Sequence, residues 1–314
     1  MKLSKLLSFV RSFVAWEVLV ANRKFAASTA VFLLVWLAFV FIGYAQSPEI
    51  PFGKSHVQTK FRGTELELFC YKPDSYQGKR MILVMHGTNR NAEEYRDNAI
   101  NMADRLAALI VAPKFDLERF PSIKYNRGGI VTEDQKAAPE DEWTYHFIPA
   151  IVRDIRKRES NDNLRFWMIG HSAGGQFLAR MSAFLAVGAE RVVAANPGSQ
   201  LFPRRDWPFG YGFGDLPDSL ASEDRIKNYL AAPLTIYLGT EDNKPDEYFD
   251  DSKEAMLQGQ GRLQRGQACF DYAKRLAEQN NWPFHWRIVE ANGVGHDHQA
   301  MFNHPSCNRA LLGE

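Results

Sequence analysis

A serine held between glycines is the residue of this sequence best placed for covalent chemistry. It is Ser172, in the segment Gly170–Gly174 (G-H-S-A-G), which follows the apolar run Phe166–Ile169 and precedes the apolar-periodic segment Gln176–Leu185. The short run predicts one buried strand, and the periodic segment predicts a helix. A G-x-S-x-G motif on such a strand-to-helix turn is typical of a nucleophile elbow. We therefore expect Ser172 to be a strained nucleophile at a helix N-terminus, where developing negative charge is favoured.

An acid and a histidine come after two later apolar runs. Asp242 follows Leu234–Leu238, and His296 follows Trp286–Glu290. Because function gathers at the carboxyl ends of the strands in open α/β sheets, Ser172 and these two residues are predicted to meet there. In such a trio the serine attacks a carbonyl carbon, the histidine takes its proton and returns it to the leaving group, and the carboxylate fixes the imidazole tautomer. The spacing therefore predicts acyl transfer.

Two backbone amides are predicted to stabilise the oxyanion formed in that attack. One belongs to Ala173, directly after the nucleophile, and the other to Thr88, which follows His86-Gly87. A glycine at this point lets the chain approach closely. Losing one such donor typically costs on the order of 10²–10³ in rate. We expect His86 to position this loop rather than to titrate in catalysis.

Neighbouring residues leave alternatives for the acid and the base. Glu241 adjoins Asp242, and Asp246 is a more remote option. His298 is an alternative base, two residues after His296. Only one of these two histidines would face the site if the segment were extended.

Other histidines are given different interpretations. His171 adjoins the nucleophile, but adjacent residues at a strand end point to opposite faces, so we expect it to be packed or at the edge of the pocket. His296, Asp297, His298 and His304 could form a metal cluster, but no matching ligand spacing occurs elsewhere. We therefore predict neither a metal ion nor another cofactor.

Two segments without clear periodicity are candidates for a substrate pocket. They are Phe115–Asp141 and Pro197–Ser222, and loops of such length are usually functional or insertions. The second contains the aromatic-glycine run Phe209–Gly214, which follows no strand and opens no helix, so its glycines do not indicate a dinucleotide site. Together with the first segment, its aromatic side chains are expected to wall an acyl or aromatic pocket: Trp207, Tyr211 and Phe213.

Three segments resemble the α/β-hydrolase superfamily, whose catalytic residues follow the same chain order of serine, acid and histidine. They are His86–Asn91 (H-G-T-N-R-N), Gly170–Gln176 (G-H-S-A-G-G-Q) and Gly293–His296 (G-V-G-H). These segments look most like secreted esterases of the polyhydroxybutyrate-depolymerase and feruloyl-esterase kind. The resemblance covers the chain from about His56 onward. It implies an ester substrate and favours Asp242 as the acid.

The order of the other elements predicts a doubly wound, mostly parallel α/β sheet. An opening β-hairpin is predicted from His56–Lys60 and Thr64–Tyr71. The predicted strands are Met81–Met85, Ala108–Pro113, Phe166–Ile169, Arg191–Ala195, Leu234–Leu238 and His285–Val289. The predicted helices are Asn91–Leu106, Trp143–Arg158, Gln176–Leu185, Gly259–Asn280 and Gln299–Leu312.

Arginines and cysteines near the last helices receive structural interpretations. Arg262 and Arg265 are expected to be solvated charges or structural ion pairs. Cys269 and Cys307 could form a disulfide between the last two helices outside the cytoplasm, and we leave their pairing open. Cys70 lies within a predicted strand and is expected to be a small core residue.

The composition is that of an ordinary globular protein. The chain has 314 residues, of which 45% are hydrophobic and 24% are charged, with a net charge of +1. This near-neutral balance gives no electrostatic footprint for nucleic acid, so no nucleic-acid partner is predicted. The length would allow two domains, but α/β folds of about 250 residues commonly form one.

The N-terminal segment is predicted to attach the protein to a membrane. Residues 25–45 carry no charge, and about 20 helical residues span a hydrocarbon core of roughly 30 Å. Residues 1–24 form a basic amphipathic segment that the positive-inside bias places in the cytoplasm. Residues 46–55 are then a linker, and residues 56–314 are an extracytoplasmic hydrolase domain. Alternatively, a signal peptidase could cut after Ala45 and release a secreted protein.

The leading functional prediction is a serine esterase that hydrolyses small-molecule or polymeric carboxylic esters through an acyl-enzyme on Ser172. A serine peptidase on the same fold is an alternative, and it would need a pocket for a peptide backbone. A non-catalytic, membrane-anchored binding module is a third possibility. The complete set of serine, acid, histidine and oxyanion glycine argues against that module, because a binding protein has no use for a general base.

Overall fold

An eight-stranded sheet runs through the computed structural model, which describes residues 48–134 and 136–313. The strands are β1 (Gly53–Phe61), β2 (Thr64–Lys72), β3 (Arg80–Met85), β4 (Leu109–Pro113), β5 (Arg165–His171), β6 (Val192–Ala195), β7 (Leu234–Gly239) and β8 (Arg287–Ala291). Their order in the sheet is β1-β2-β4-β3-β5-β6-β7-β8. The hairpin β1-β2 and the pair β2-β4 are antiparallel, and all the other pairs are parallel. The predicted mostly parallel α/β sheet and its opening hairpin are confirmed.

The predicted cytoplasmic and transmembrane segments, residues 1–24 and 25–45, lie outside the described residues. Within the described ranges, no helix is both long and apolar enough to cross a membrane. The first strand begins at Gly53, three residues before its predicted start. The last residues of the predicted linker therefore belong to the sheet.

Helices connect the strands and cover the sheet. They are α1 (Ala92–Asn98), α2 (Ile100–Leu106), α3 (Phe147–Arg158), α4 (Ala173–Phe184), α5 (Asp218–Ala221), α6 (Glu223–Leu230), α7 (Lys253–Gln258), α8 (Arg262–Asn280), α9 (His298–Asn303) and α10 (Ser306–Leu312). Two 3₁₀ turns, Glu140–Glu142 and Thr144–His146, lead into α3. The helices α5, α6 and α7 were not predicted.

Alternate residues of the central strands pack on opposite faces of the sheet. In β3, Met81, Leu83 and Met85 belong to the larger core, under α3, α4, α6 and α8. Ile82 and Val84 belong to the smaller core, under α1, α2, α9 and α10. Because both faces are covered, the parallel strands read as continuous apolar runs in the sequence.

Two segments predicted as single helices are each divided in two. The segment Asn91–Leu106 forms α1 and α2, which meet at Ala99. The segment Gln299–Leu312 forms α9 and α10 because Pro305 lacks a backbone N–H and disfavours helical backbone in the residue before it. His304 accordingly adopts an extended conformation, with φ −66° and ψ 142°.

All three cysteines are buried and unpaired. Cys269 belongs to the larger core and Cys307 to the smaller one, so the sheet separates the two residues whose pairing was left open. The Cys269 Sγ lies 3.6 Å from the Leu201 carbonyl oxygen, and the Cys307 Sγ lies 3.7 Å from the sulfur of Met102. The possible disulfide is therefore not formed, whereas Cys70 is a core residue as predicted.

Candidate active site

The residue after β5 turns the chain sharply into α4. Ser172 has φ 56° and ψ −118°, outside the regions that L-residues normally adopt. Its N–H donates to the carbonyl oxygen of Ala195 in β6 at 3.0 Å. The helix begins directly afterwards at Ala173, three residues earlier than predicted. Strain of this kind costs on the order of 1–3 kcal/mol and persists only where the surrounding structure fixes it. The turn therefore has the backbone geometry of a nucleophile elbow.

Two glycines make this turn sterically possible. A Cβ on Gly174 would lie 2.3 Å from the Met85 carbonyl oxygen of β3. A Cβ on Gly170 would lie 2.5 Å from the carbonyl carbon of Gly174. Both distances are far inside van der Waals contact with backbone atoms. A side chain at Gly174 would therefore collide with the neighbouring strand, and one at Gly170 with the helix.

A short hydrogen bond joins the predicted acid and base. The Nδ1 of His296 and the Oδ2 of Asp242 are 2.7 Å apart, and Asp242 is only 2% exposed. Because an ionised carboxylate only accepts hydrogen bonds, the proton of this bond is on Nδ1. The Nε2 of His296 is then the nitrogen that can accept a proton. This is the tautomer that a serine nucleophile requires.

His296 lies beside the elbow. Its ring centroid is 4.5 Å from that of His171, the residue that precedes Ser172. The loop after β3 is also close, since a Cβ on Gly87 would lie 3.9 Å from the Ser172 Cβ. The structure thus brings the loops after β3, β5 and β8 to one place. The Ser172 hydroxyl makes no hydrogen bond to another described residue, so a direct bond to His296 stays a prediction.

A buried histidine fixes the loop that follows β3. The Nε2 of His86 accepts the Phe115 N–H at 3.0 Å, so its Nδ1 carries the proton and donates to the Gly87 carbonyl oxygen at 2.9 Å. Burial lowers the pKa of His86 to about 3. The ring therefore stays neutral and keeps both bonds at ordinary pH. These contacts agree with the structural role expected for His86.

The two amides predicted to bind the oxyanion are available. Neither the Thr88 N–H nor the Ala173 N–H has a backbone or side-chain acceptor among the described residues. Ala173 opens α4, and the first N–H groups of a helix have no partner within it. Thr88 follows Gly87, which approaches the nucleophile. That both donors bind one substrate oxygen stays a prediction.

The alternative acid and base residues make other contacts. Glu241 is exposed, and Asp246 accepts two hydrogen bonds from Arg262, both at 2.8 Å. His298 stacks on Tyr95 with 4.0 Å between the ring centroids. The geometry therefore favours the first choices for both roles.

His171 is packed against the same aromatic group. Its Nδ1 lies 3.3 Å from the Tyr95 hydroxyl. Burial, followed by the charges of His296 and His298, lowers the pKa of His171 well below its usual value. A neutral, packed ring agrees with the expectation that His171 is not the base.

Arg262 is a site residue that sequence reasoning missed. Its Nη1 donates to Asp242 Oδ1 at 3.1 Å, while His296 occupies the other oxygen of the same carboxylate. Burial lowers the pKa of Arg262, but Asp246 and Asp242 outweigh that effect and raise it. Burial raises the pKa of Asp246, but the hydrogen bonds and the charge of Arg262 have the larger effect. The pKa of Asp246 therefore lies below its usual value. Arg262 thus fixes the plane of the acid and partly compensates its charge.

Neither arginine at the start of α8 is solvated. Arg262 is 1% exposed and Arg265 is fully buried, so the solvated alternative is wrong, and the ion-pair alternative is confirmed for Arg262. Arg265 donates instead to the carbonyl oxygens of Gly198, Gly259 and Asp250. The sequence held no local signal for this, because the two carboxylates that Arg262 binds lie 16 and 20 residues earlier.

The predicted pocket residues divide into two groups. Phe213 is fully buried and packs against Phe184 and Tyr229, so the prediction that it lines a pocket is wrong. Tyr211 is half-buried, and its hydroxyl contacts Asp250 and Ser252, which lie in the segment between β7 and α7. Trp207 is also partly exposed. For Trp207 and Tyr211, substrate contact stays a prediction.

The histidine-rich segment near the C-terminus makes hydrogen bonds within the protein. The Nδ1 of His304 lies 2.7 Å from the Ser306 Oγ, and Asp297 caps α9 by accepting the Ala300 N–H at 3.0 Å. Within the described part of the chain, no three His, Cys, Asp or Glu side chains are arranged to hold a metal ion.

Among the solved structures that are similar to this chain are two hydrolases. One is poly(aspartic acid) hydrolase-1 from Sphingomonas sp. KT-1, which is 32% identical over 80% of this chain and 96% of its own, with a TM-score of 0.75. The other is LpqC, a poly(3-hydroxybutyrate) depolymerase from Bordetella parapertussis, which is 32% identical over 82% of this chain and 90% of its own, also with a TM-score of 0.75. No protein-family model and no curated protein sequence matches the chain.

Proposed function

The chain belongs to the α/β-hydrolase superfamily, and from this premise we propose that it is a serine hydrolase that cleaves carboxylic esters through an acyl-enzyme on Ser172. In this mechanism Ser172 attacks the ester carbonyl while His296 takes its proton. The Thr88 and Ala173 amides hold the oxyanion, and the imidazolium then protonates the leaving alcohol. In the second half of the reaction His296 takes a proton from water, which attacks the acyl-enzyme. His296 then returns the proton to Ser172 as the carboxylic acid leaves.

The observation that carries this proposal is the buried bond between Asp242 and His296 at the strained turn of Ser172. General-base assistance from an oriented imidazole contributes about 10²–10⁴ in rate. The bond sets the imidazole tautomer, and the strained turn presents the hydroxyl. A binding module would gain nothing from either feature.

The two similar structures suggest which bonds to test. Poly(3-hydroxybutyrate) is a polyester, whereas poly(aspartic acid) is linked by amides, and the two named hydrolases are equally similar to this chain. We propose the ester because its alcohol leaves more readily than an amine, which must be protonated as it leaves. The amide polymer is the natural comparison substrate.

The reaction is proposed to take place outside the cytoplasmic membrane. This rests on the uncharged residues 25–45 and on the basic residues that precede them. Recovery of the native protein in the soluble cytoplasmic fraction, with its full mass, would reject this location.

Labelling with a fluorophosphonate, followed by peptide mapping, tests the nucleophile. We expect one adduct, on Ser172. Hydrolysis of p-nitrophenyl acetate, p-nitrophenyl butyrate, a hydroxycinnamoyl ester, poly(3-hydroxybutyrate) and poly(aspartic acid) then tests the bond type. Turnover of esters but not of poly(aspartic acid) supports the esterase. Turnover of poly(aspartic acid) alone would show that the protein is an amidase and not an esterase. Absence of any label on the protein would reject the serine hydrolase.

The pair Arg262–Asp246 predicts opposite pH shifts for two variants. Asp246→Asn removes a negative charge that interacts with His296 and leaves Arg262 less compensated. The acidic limb of kcat/KM should then move to lower pH. Arg262→Met removes the positive charge beside Asp242 and should move the same limb to higher pH. The pH–rate profiles measure both shifts.

Glu247→Gln is the matched control for this pair, since Glu247 is an exposed carboxylate one residue from Asp246 and makes no ion pair among the described residues. Its profile should coincide with that of the wild type. Shifts of the same sign in both variants would contradict the charge argument and indicate a structural disturbance.

A further inference from the structure

Four arginines gather at the edge of the sheet opposite the candidate active site. Arg80, Arg165 and Arg287 are the first residues of β3, β5 and β8, and Arg191 directly precedes β6. We call them the arginine cluster. Because these strands are parallel, their amino ends share one edge, whereas Ser172 follows the carboxyl end of β5. The arginine cluster is therefore a separate place from the catalytic residues.

The arginine cluster lines a cavity of about 260 Å³. Arg80 and Arg165 are direct neighbours in the register of β3 and β5. The cavity wall also includes Trp167, over which both guanidinium groups lie, at 6.0 and 5.4 Å from its ring centroid. Glu190 is the one acidic residue of this wall. The cavity therefore carries an excess of positive charge.

None of the four guanidinium groups forms an ion pair with a carboxylate in the described part of the chain. Arg80 donates to the Leu106 carbonyl oxygen at 3.2 Å, and Arg191 donates to that of His285 at 3.0 Å. The Arg165 and Arg287 side chains donate no hydrogen bond to a described residue. Their guanidinium N–H groups are therefore available to bind a ligand. Other arginines of this protein, such as Arg262, do have carboxylate partners.

Holding these like charges together is unfavourable. Burial, together with the nearby Arg287 guanidinium, lowers the pKa of Arg191 to about 10. A bound anion would remove this repulsion. Arginine forks match the oxygens of phosphate groups and bind them through paired, charge-assisted hydrogen bonds.

We propose that the arginine cluster is a binding site for a phosphate group, remote from the catalytic residues. The phosphate can belong to a free anion or to the headgroup of an anionic phospholipid, since both present the same tetrahedral oxygens. The apolar residues Leu311 and Leu312 also line the cavity. Binding here leaves the loops around Ser172 free for substrate.

The test is calorimetric titration of the full-length protein in detergent, in a buffer without phosphate or sulfate. The probes are pyrophosphate, for the free anion, and monomeric dihexanoyl-phosphatidylglycerol, for the headgroup. Saturable binding of either probe is expected, and the tighter of the two identifies the source. Each charge-assisted hydrogen bond lost should weaken binding by roughly 10-fold.

The informative variant is Arg165→Gln/Arg287→Gln, because both side chains are exposed and donate no hydrogen bond whose loss could unfold the protein. Its affinity should fall by at least about 10-fold. The control is Arg153→Gln/Arg275→Gln, which removes the same charge from two exposed arginines outside the cavity and should bind like the wild type. No saturable binding to the wild type, or equal weakening in both double variants, would overturn the site.

Discussion

Replacing Ser172 with alanine should lower kcat/KM for p-nitrophenyl acetate by on the order of 10⁴- to 10⁶-fold and should abolish fluorophosphonate labelling. The variant loses the atom that forms the covalent intermediate, whereas the oxyanion amides and the Asp242–His296 bond remain. A small residual rate over water is therefore expected. Steady-state kinetics and intact-mass measurement after labelling give the two readouts.

Ser182→Ala is the matched control for that change. Ser182 lies near the C-terminal end of α4, away from the elbow, and its hydroxyl only donates to the Leu178 carbonyl oxygen one turn earlier. Its kinetics should be those of the wild type. Both variants should keep the thermal unfolding of the wild type within a few degrees. If Ser172→Ala keeps ester turnover while it remains folded, another residue is the nucleophile.

The residues that meet at the site could be predicted because each of them follows the carboxyl end of a strand. Ser172, Asp242 and His296 follow β5, β7 and β8, and the carboxyl ends of these parallel strands share one edge. The strand pattern was clear because both faces of the sheet are buried. Chain order and position were thus enough to predict that the acid and the histidine lie together, without knowledge of the loops.

Contacts made across the chain could not be predicted in this way. Nothing near Arg262 in the sequence distinguishes a solvated arginine from one that binds the acid 20 residues earlier. Likewise, Phe213 looked like Tyr211, its neighbour in an aromatic-glycine run, yet only Phe213 is fully buried. Such differences arise from how the irregular segments fold over α4 and α8. Because these segments have no hydrophobic periodicity, the sequence does not show which of their side chains are buried.

The break at Pro305 was a different kind of error, because its cause is visible in the sequence. A proline within a predicted helix removes one hydrogen bond and restricts the preceding residue. The break matters for the site, since α9 begins two residues after His296. The Asp297 side chain caps that helix by accepting the Ala300 N–H. The short α9 thereby helps to fix the end of the loop that presents His296.

The carboxylate of Asp242 has a donor at each oxygen, and this makes Asp242→Asn a severe change. Arg262 donates to Oδ1 and His296 donates to Oδ2. Asparagine offers one acceptor and one donor, and the permanently charged Arg262 can only donate. The amide oxygen should therefore face Arg262, and the amide NH₂ should face His296 Nδ1. The imidazole must then carry its proton on Nε2, where it cannot accept one from Ser172. We expect kcat/KM to fall by about 10⁴-fold.

The same reasoning predicts that Arg262 determines how severe this change is. In the double variant Asp242→Asn/Arg262→Met, the amide can turn its oxygen toward His296 and restore the working tautomer. Its kcat/KM should then exceed the value obtained by multiplying the effects of the two single variants, as a double-mutant cycle measures. Glu241→Gln, at the exposed neighbour of the acid, should leave kcat/KM unchanged. Strict multiplicativity in the cycle would contradict the flipped amide, and a small loss in Asp242→Asn alone would show that His296 does not depend on this carboxylate.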